Sequence, residues 1–273
     1  MEEVDVRKVF REKNPRMARL IPGFVFRYLE KIVHQDFINW FIREYNHLYG
    51  LDWVNAGIRE FNVSLRVKGE ENLPQKGRFI FASNHPLGGF DGLLLITTVS
   101  RFYTGAIFLV NDILMNLRNL EEVFVPINKH GSQSRESVLI IEEMYRSDRQ
   151  ILTFPSGYVS RRIKGVIQDL EWQKSFIAKA IQHKRDIIPV HVSGRNSNFF
   201  YRLGSVRKSL GIKANLEMFY LVDETMKHKD KTIEITFGKP VPYSFFDKSR
   251  THKEWAAYMR EMVYSLPLEK EDS

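Results

Sequence analysis

Phe79-Ile80-Phe81-Ala82-Ser83-Asn84-His85-Pro86-Leu87-Gly88-Gly89-Phe90-Asp91-Gly92 begins as an apolar run and ends in a loop with one proline and two adjacent glycines. A turn at 74–77 precedes it, so residues 79–82 read as a short buried strand. A helix is predicted after Asp91. Working outward, Val63, Leu65 and Val67 alternate as a strand does. Further strands are predicted at 106–110, 122–127, 150–154, 186–193, 215–222 and 232–238, and helices at 134–147, 172–183 and 251–265. Strands alternating with helices indicate an α/β fold, with a mostly parallel central sheet and helices on both faces.

In such open sheets ligands sit outside the carboxyl ends of the strands. His85 falls there, and Pro86 with Gly88-Gly89 lets the loop turn sharply enough to bring Asp91 back to the imidazole. A carboxylate on one ring nitrogen fixes the tautomer and leaves the other nitrogen as a base. This arrangement is a triad without its serine, which makes the substrate's own hydroxyl the nucleophile. Taken alone, the pair also fits an Asp that caps the next helix beside a loop His bonded to backbone.

Composition narrows the chemistry. The 273 residues contain no cysteine, which excludes disulfides, thiolate metal sites and an acyl-cysteine intermediate. No histidines are paired at metal-ligand spacing, no Gly-x-Ser-x-Gly elbow is present, and there is no phosphate-binding glycine loop. The formal charge of +8 favours anionic partners. Residues 158–185 carry seven Lys and Arg, among them Arg161 and Arg162, against Asp169 and Glu171. This stretch reads either as a solvated face or as a patch for anionic lipid headgroups or an acidic carrier protein.

The N-terminal stretch is charged and lacks an apolar leader core, and no run is apolar and long enough to span a bilayer. Helices are predicted through Phe24–Val33 and from Asp36 to Tyr45, rich in aromatics with Arg27, Lys31 and Arg43 among them. Residues 1–60 are therefore expected to form a helical, membrane-associating segment. Residues 61–273 are expected to form the α/β domain. The aromatics could equally pack on the domain's own core.

Residues 80–92 resemble the first motif of the glycerophosphate and lysophosphatidic acid acyltransferase family, an Asn-His followed by an Asp. Here five residues separate His85 from Asp91, one more than the family's usual spacing. The His-Pro-x-Gly loop looks more like the hemolysin-like, or ornithine-lipid acyltransferase, branch. Three more blocks follow in order. Val123–Lys129 resembles the second block, with Lys129 where the family has an acceptor-binding Arg. Leu152–Gly157 resembles the third, with Ser156 in place of the family's Glu. Ile187–Val190 resembles the fourth.

The resemblance implies a glycerol-3-phosphate acyltransferase-like domain. It would move a fatty acyl group from acyl carrier protein or CoA to the hydroxyl of a lyso-lipid, with no other cofactor and no metal. His85 and Asp91 are the implied catalytic residues. Asn84, Gly88, Gly89, Lys129, Ser156 and Gly157 are the substrate contacts expected at the motif positions. The cation cluster beyond the third block adds Arg161 and Arg162 as expected headgroup contacts, and the tight Gly88-Gly89 turn offers its amides to the oxyanion. The implied acceptor is a lyso-ornithine or lyso-glycine lipid, with lysophosphatidic acid as the alternative. The expected place is the cytoplasmic face of an anionic membrane, peripherally bound, with no nucleic acid partner. A non-catalytic binder of anionic membrane or nucleic acid is the alternative of another class.

Overall fold

The computed structural model describes residues 3–13, 15–110, 118–126, 135–212 and 214–268. Five helices come first: α1 (Val6–Lys13), α2 (Pro15–Leu20), α3 (Gly23–Ile32), α4 (Gln35–Glu44) and α5 (Gly50–Phe61). Strands β1 (Ser64–Lys68) and β2 (Phe79–Ser83) follow, then α6 (Gly89–Val99), β3 (Ile107–Val110), β4 (Phe124–Pro126) and α7 (Arg135–Arg146). Next come β5 (Ile151–Thr153), a hairpin of β6 (Arg161–Ile163) and β7 (Val166–Gln168), α8 (Ser175–His183) and β8 (Asp186–Val192). The chain closes with α9 (Asn198–Ser209), α10 (Leu221–Met226), β9 (Thr232–Phe237) and α11 (His252–Ser265).

Seven strands form one sheet in the order β1-β9-β8-β2-β5-β3-β4. All its pairings are parallel except β8 with β9. The pleat sends alternate side chains to opposite faces, and β2 shows the consequence. Phe79 and Phe81 join the core under α5 and α6, while Ile80 and Ala82 join the core under α8 and α11. A strand buried on both faces is apolar nearly throughout; all five residues of β2 are buried, and its one polar member, Ser83, donates its hydroxyl to the Asn84 carbonyl. Phe41 of α4 and Trp53, Val54 and Ala56 of α5 belong to the first of these cores. Helices α1 to α3 close a smaller cluster of their own around Val6, Ala18 and Phe26.

One predicted strand is corrected. Residues 216–222 are apolar apart from Glu217, but the chain there makes a 3-10 turn over Leu216–Tyr220 that runs into α10. The buried carboxylate of Glu217 accounts for it. Arg207 Nε lies 2.8 Å and Arg161 Nη2 3.3 Å from its oxygens. A paired, buried charge cannot occupy the interior of an all-apolar sheet without losing those partners.

The predicted basic patch is also thinner than a count along the chain suggests. Arg185 is fully buried, Lys179 and His183 are held by Glu142, and Arg161 is committed to Glu217. Arg185 instead ties the end of α7, the loop after it and the start of β2 to the start of β8. It donates to the carbonyls of Tyr145 (2.9 Å), Arg149 (2.8 Å), Ser147 (2.5 Å), Met144 (3.3 Å) and Phe79 (3.4 Å). Burial lowers its pKa to about 10. Replacing Arg185 by Met keeps the aliphatic stem but orphans these acceptors. The expected loss is about 3 kcal/mol, seen as a lower urea midpoint at an unchanged slope.

Candidate active site

Strand β2 delivers Asn84 and His85 to the carboxyl edge of the sheet beside the ends of β8 and β5. Asn84 extends the ladder with its side chain. Its Oδ1 accepts from Val192 N (2.7 Å) and its Nδ2 donates to Val192 O (2.9 Å). Both ends of the amide are thereby occupied and the residue is buried, so its amide squares the end of the loop.

His85 leaves the strand with its ring against Asp91, in the first turn of α6. Nδ1 stands 2.9 Å and 3.0 Å from the two carboxylate oxygens. Asp91 is completely buried, and its Oδ2 also accepts the Leu87 N–H at 2.8 Å. The loop is folded on its own carboxylate, which brings the Asp within reach in spite of the extra residue. Phe154 covers one face of the imidazole, with centroids 3.9 Å apart and planes inclined by 19°. With Nδ1–H donating to Asp91, Nε2 is the bare nitrogen, and it makes no hydrogen bond among the described residues. The side chain is 14% exposed, enough for one approach.

Gly88 and Gly89 turn the chain into α6. Gly88 has φ 78° and ψ −142°, where a Cβ is strained, and a Cβ there would lie 3.0 Å from Leu221 Cδ2. The main-chain N–H groups of Gly88 and Gly89 have no acceptor among the described residues, and they sit at the positive end of α6.

The third block divides into turn and hairpin. Ser156 is buried and closes the turn on Tyr158, donating its hydroxyl to the Tyr158 carbonyl at 2.7 Å. In this structure its hydroxyl serves the turn. Gly157 is exposed with φ 64° and donates to Phe154 O at 2.9 Å. The next segment, unrecognised in the sequence, is the β6–β7 hairpin. Lys164 and Gly165 have φ of 47° and 87° at its tip, the two-residue turn that suits strand twist.

Arg161 and Arg162 stand on its first strand. Arg161 is paired with Glu217, lies 5.5 Å over the Phe200 ring, and has its pKa lowered by burial. Its guanidinium thus has an internal carboxylate partner. Arg162 is half-buried; its Nη2 donates to Asn198 Oδ1 at 2.7 Å, and no carboxylate pairs with it among the described residues. Lys129 lies outside the described residues.

A base, its orienting carboxylate and unpaired amides beside a helix N-terminus can deprotonate a hydroxyl and stabilise an oxyanion. Phe154, which pins the ring, was missed in the sequence. It stands directly before Pro155 in the third block, and aromatics in such a block carry no mark that distinguishes ring stacking from core packing. Among the described residues no group of three or more His, Asp or Glu is placed to hold a metal.

Comparison with known proteins sets this site in context. A family described as acyltransferase matches residues 8–271. A lyso-glycine lipid O-acyltransferase of Bacteroides thetaiotaomicron is 50% identical, over 96% of this chain and 97% of that protein. A lyso-glycine lipid O-acyltransferase of Phocaeicola vulgatus is 44% identical, over 96% and 95%. The crystal structure of a 1-acyl-sn-glycerophosphate acyltransferase from Thermotoga maritima covers 97% of this chain and 88% of its own, at 17% identity and a TM-score of 0.46. That last likeness is too distant to bear on the site.

Proposed function

The chain belongs to the acyltransferase family, and on that premise we propose that His85 is the general base that drives acyl transfer to the hydroxyl of a lyso-aminolipid. The observation that carries this reading is the bond from His85 Nδ1 to Asp91, which leaves Nε2 bare at the mouth of the loop. Nε2 takes the proton of the acceptor hydroxyl as its oxygen attacks the thioester carbonyl. The Gly88 and Gly89 amides receive the developing oxyanion, and collapse expels the thiol of acyl carrier protein or CoA. Asp91 stabilises the imidazolium in between.

The acceptor is an N-(3-hydroxyacyl) amino acid, most simply a lyso-glycine lipid. Two relatives that span nearly the whole chain bear that activity in their names. Such a molecule presents a carboxylate and a secondary hydroxyl. Arg162, a hairpin cation with no carboxylate partner among the described residues, is the headgroup contact this reading favours, with Lys129 at the end of the second block.

The reading extends to place. No helix among the described residues is long and apolar enough to cross a membrane. Leu20, Phe24 and Tyr28 are 81%, 65% and 50% exposed, with Arg16 and Arg19 just before Leu20 and Arg27 just before Tyr28. Tyr28 bonds Tyr220 at 2.6 Å, which joins α3 to the segment that also exposes Phe219 and Leu216. Large apolar side chains ringed by cations suit a peripheral seat on the cytoplasmic, anionic face of a bilayer.

The deciding assay offers purified protein a lyso-glycine lipid and lysophosphatidic acid in turn, with acyl carrier protein and CoA thioesters as donors. The expected kcat/KM is at least about 10²-fold higher for the aminolipid; equal or reversed values would refute the acceptor assignment. Arg162→Glu is expected to raise the aminolipid KM about tenfold at constant kcat, the loss of one charge-assisted hydrogen bond. An unchanged KM removes Arg162 from the headgroup site.

A further inference from the structure

Two residues that the chemistry above does not use grip the main chain of His85. The His85 N–H donates to Asp169 Oδ1 at 3.2 Å, and its carbonyl accepts from Ser160 N at 2.8 Å. Ser160 Oγ donates to the same Asp169 Oδ1 at 2.6 Å, and Trp172 Nε1 donates to Oδ2 at 2.9 Å. Asp169 itself is anchored to α11. Its N–H donates to the Tyr264 hydroxyl at 2.8 Å and its carbonyl accepts from Arg260 Nη2 at 2.8 Å.

Ser160 and Asp169 are both 1% exposed, and Asp169 has no ion pair among the described residues. A buried carboxylate without a cation is costly, and burial does push the Asp169 pKa up against its three donors. Packing alone does not call for such a group.

We infer that Asp169 is a positioning residue, which with Ser160 fixes the main chain from which the His85 imidazole springs. This rests on the reading of His85 as the base. Asp91 and Phe154 set the ring's tautomer and tilt, but a ring is only as well placed as its Cα. That Cα lies in a loop between strand and helix, and only the Ser160–Asp169 clasp bonds both polar groups of the His85 backbone. The clasp also closes the base of the β6–β7 hairpin. Ser160 and Asp169 immediately flank Arg161 and Gln168, which pair across it. The strand that carries Arg162 and the residue that carries the proton are therefore set relative to one another by a single carboxylate.

Asp169→Asn keeps the shape of the side chain. An amide has one acceptor oxygen, however, so either Trp172 or the Ser160–His85 pair must face an NH2 group. The expected result is a fall in kcat of about 10²-fold, the scale of an ångström of misplacement, with the KM for the lyso-lipid unchanged. Ser160→Ala, a milder change, is expected to lower kcat about tenfold with little change in melting temperature.

Nitrogen-15 spectra of histidine-labelled protein supply a readout independent of activity. The His85 Nδ1 resonance, identified by its loss in His85→Gln, is expected to shift or broaden in Asp169→Asn. Unchanged kcat with an unmoved His85 resonance in Asp169→Asn overturns the inference. Should that variant fail to fold, the same pair of results in Ser160→Ala overturns it. A His85→Gln protein that still turns over sinks the base assignment instead, while a moved resonance in Asp169→Asn would still establish the clasp.

Discussion

Replacing His85 by alanine is expected to lower acyl transfer by about 10² to 10⁴-fold, the usual contribution of a positioned base, and to leave binding to lipid vesicles intact. Four of the other imidazoles are unsuited to the role. His191 lies on β8 near Tyr264 and is held neutral, its pKa pushed down to about 4 by burial. His228 stacks behind Phe90 at 6.3 Å with its Nε2 buried. His34 is bonded to Asp223 and His183 to Glu142. The substituted loop should keep its course, because Leu87 still donates to Asp91 and the Ser160–Asp169 clasp acts on the main chain. The change is therefore expected in kcat. Vesicle sedimentation alongside the rate assay separates the two possibilities: full turnover in the variant removes His85 as the base, and lost vesicle binding with lost turnover points to misfolding.

What could be read from the sequence follows from the range of the interactions concerned. The apolar run of β2 declares itself because both faces of that strand are buried. His85 and Asp91 belong to one loop, so their meeting needs only a local turn. The readings that failed concern partners far apart in the chain. Arg161 and Arg207 look like free cations until Glu217 is brought between them. Residues 215–222 look like a strand because a mostly apolar run cannot reveal that Glu217 points inward to two arginines. Lys179 and Arg185 swell the basic count, yet one is paired with Glu142 and the other is buried among carbonyls.

The same limit hid Asp169 and Phe154, which lie 84 and 69 residues beyond His85 in the chain. A charge window or a periodicity sums over neighbours in sequence, whereas a sheet of this order sets β2 beside β5 and β8. At Asn84 the family motif marks the position, and what the sequence does not show is that both ends of the amide bond Val192 at the strand end.

Asp91→Asn is expected to be at least as damaging as removing the side chain altogether, and the reason is the Leu87 amide. In the native loop Asp91 Oδ2 accepts the Leu87 N–H at 2.8 Å while Oδ1 faces His85 Nδ1 at 2.9 Å. Asparagine has only one acceptor, and the Leu87 N–H, fixed in the main chain and buried, requires it. The amide nitrogen then faces Nδ1. Two donors cannot share that contact, so the imidazole must carry its proton on Nε2 and present a bare Nδ1 inward. The base is thus turned away from the acceptor without any change in shape, and turnover is expected to fall by about 10² to 10⁴-fold. Asp91→Ala removes the orienting bond but leaves both tautomers accessible, so it should retain more activity than Asp91→Asn even though it leaves the Leu87 N–H unpaired and the fold less stable. The order of the two variants is the test. An asparagine variant with near-native turnover, or one clearly more active than the alanine variant, would mean that the carboxylate does not govern which ring nitrogen is bare, and that Asp91 serves only to cap α6.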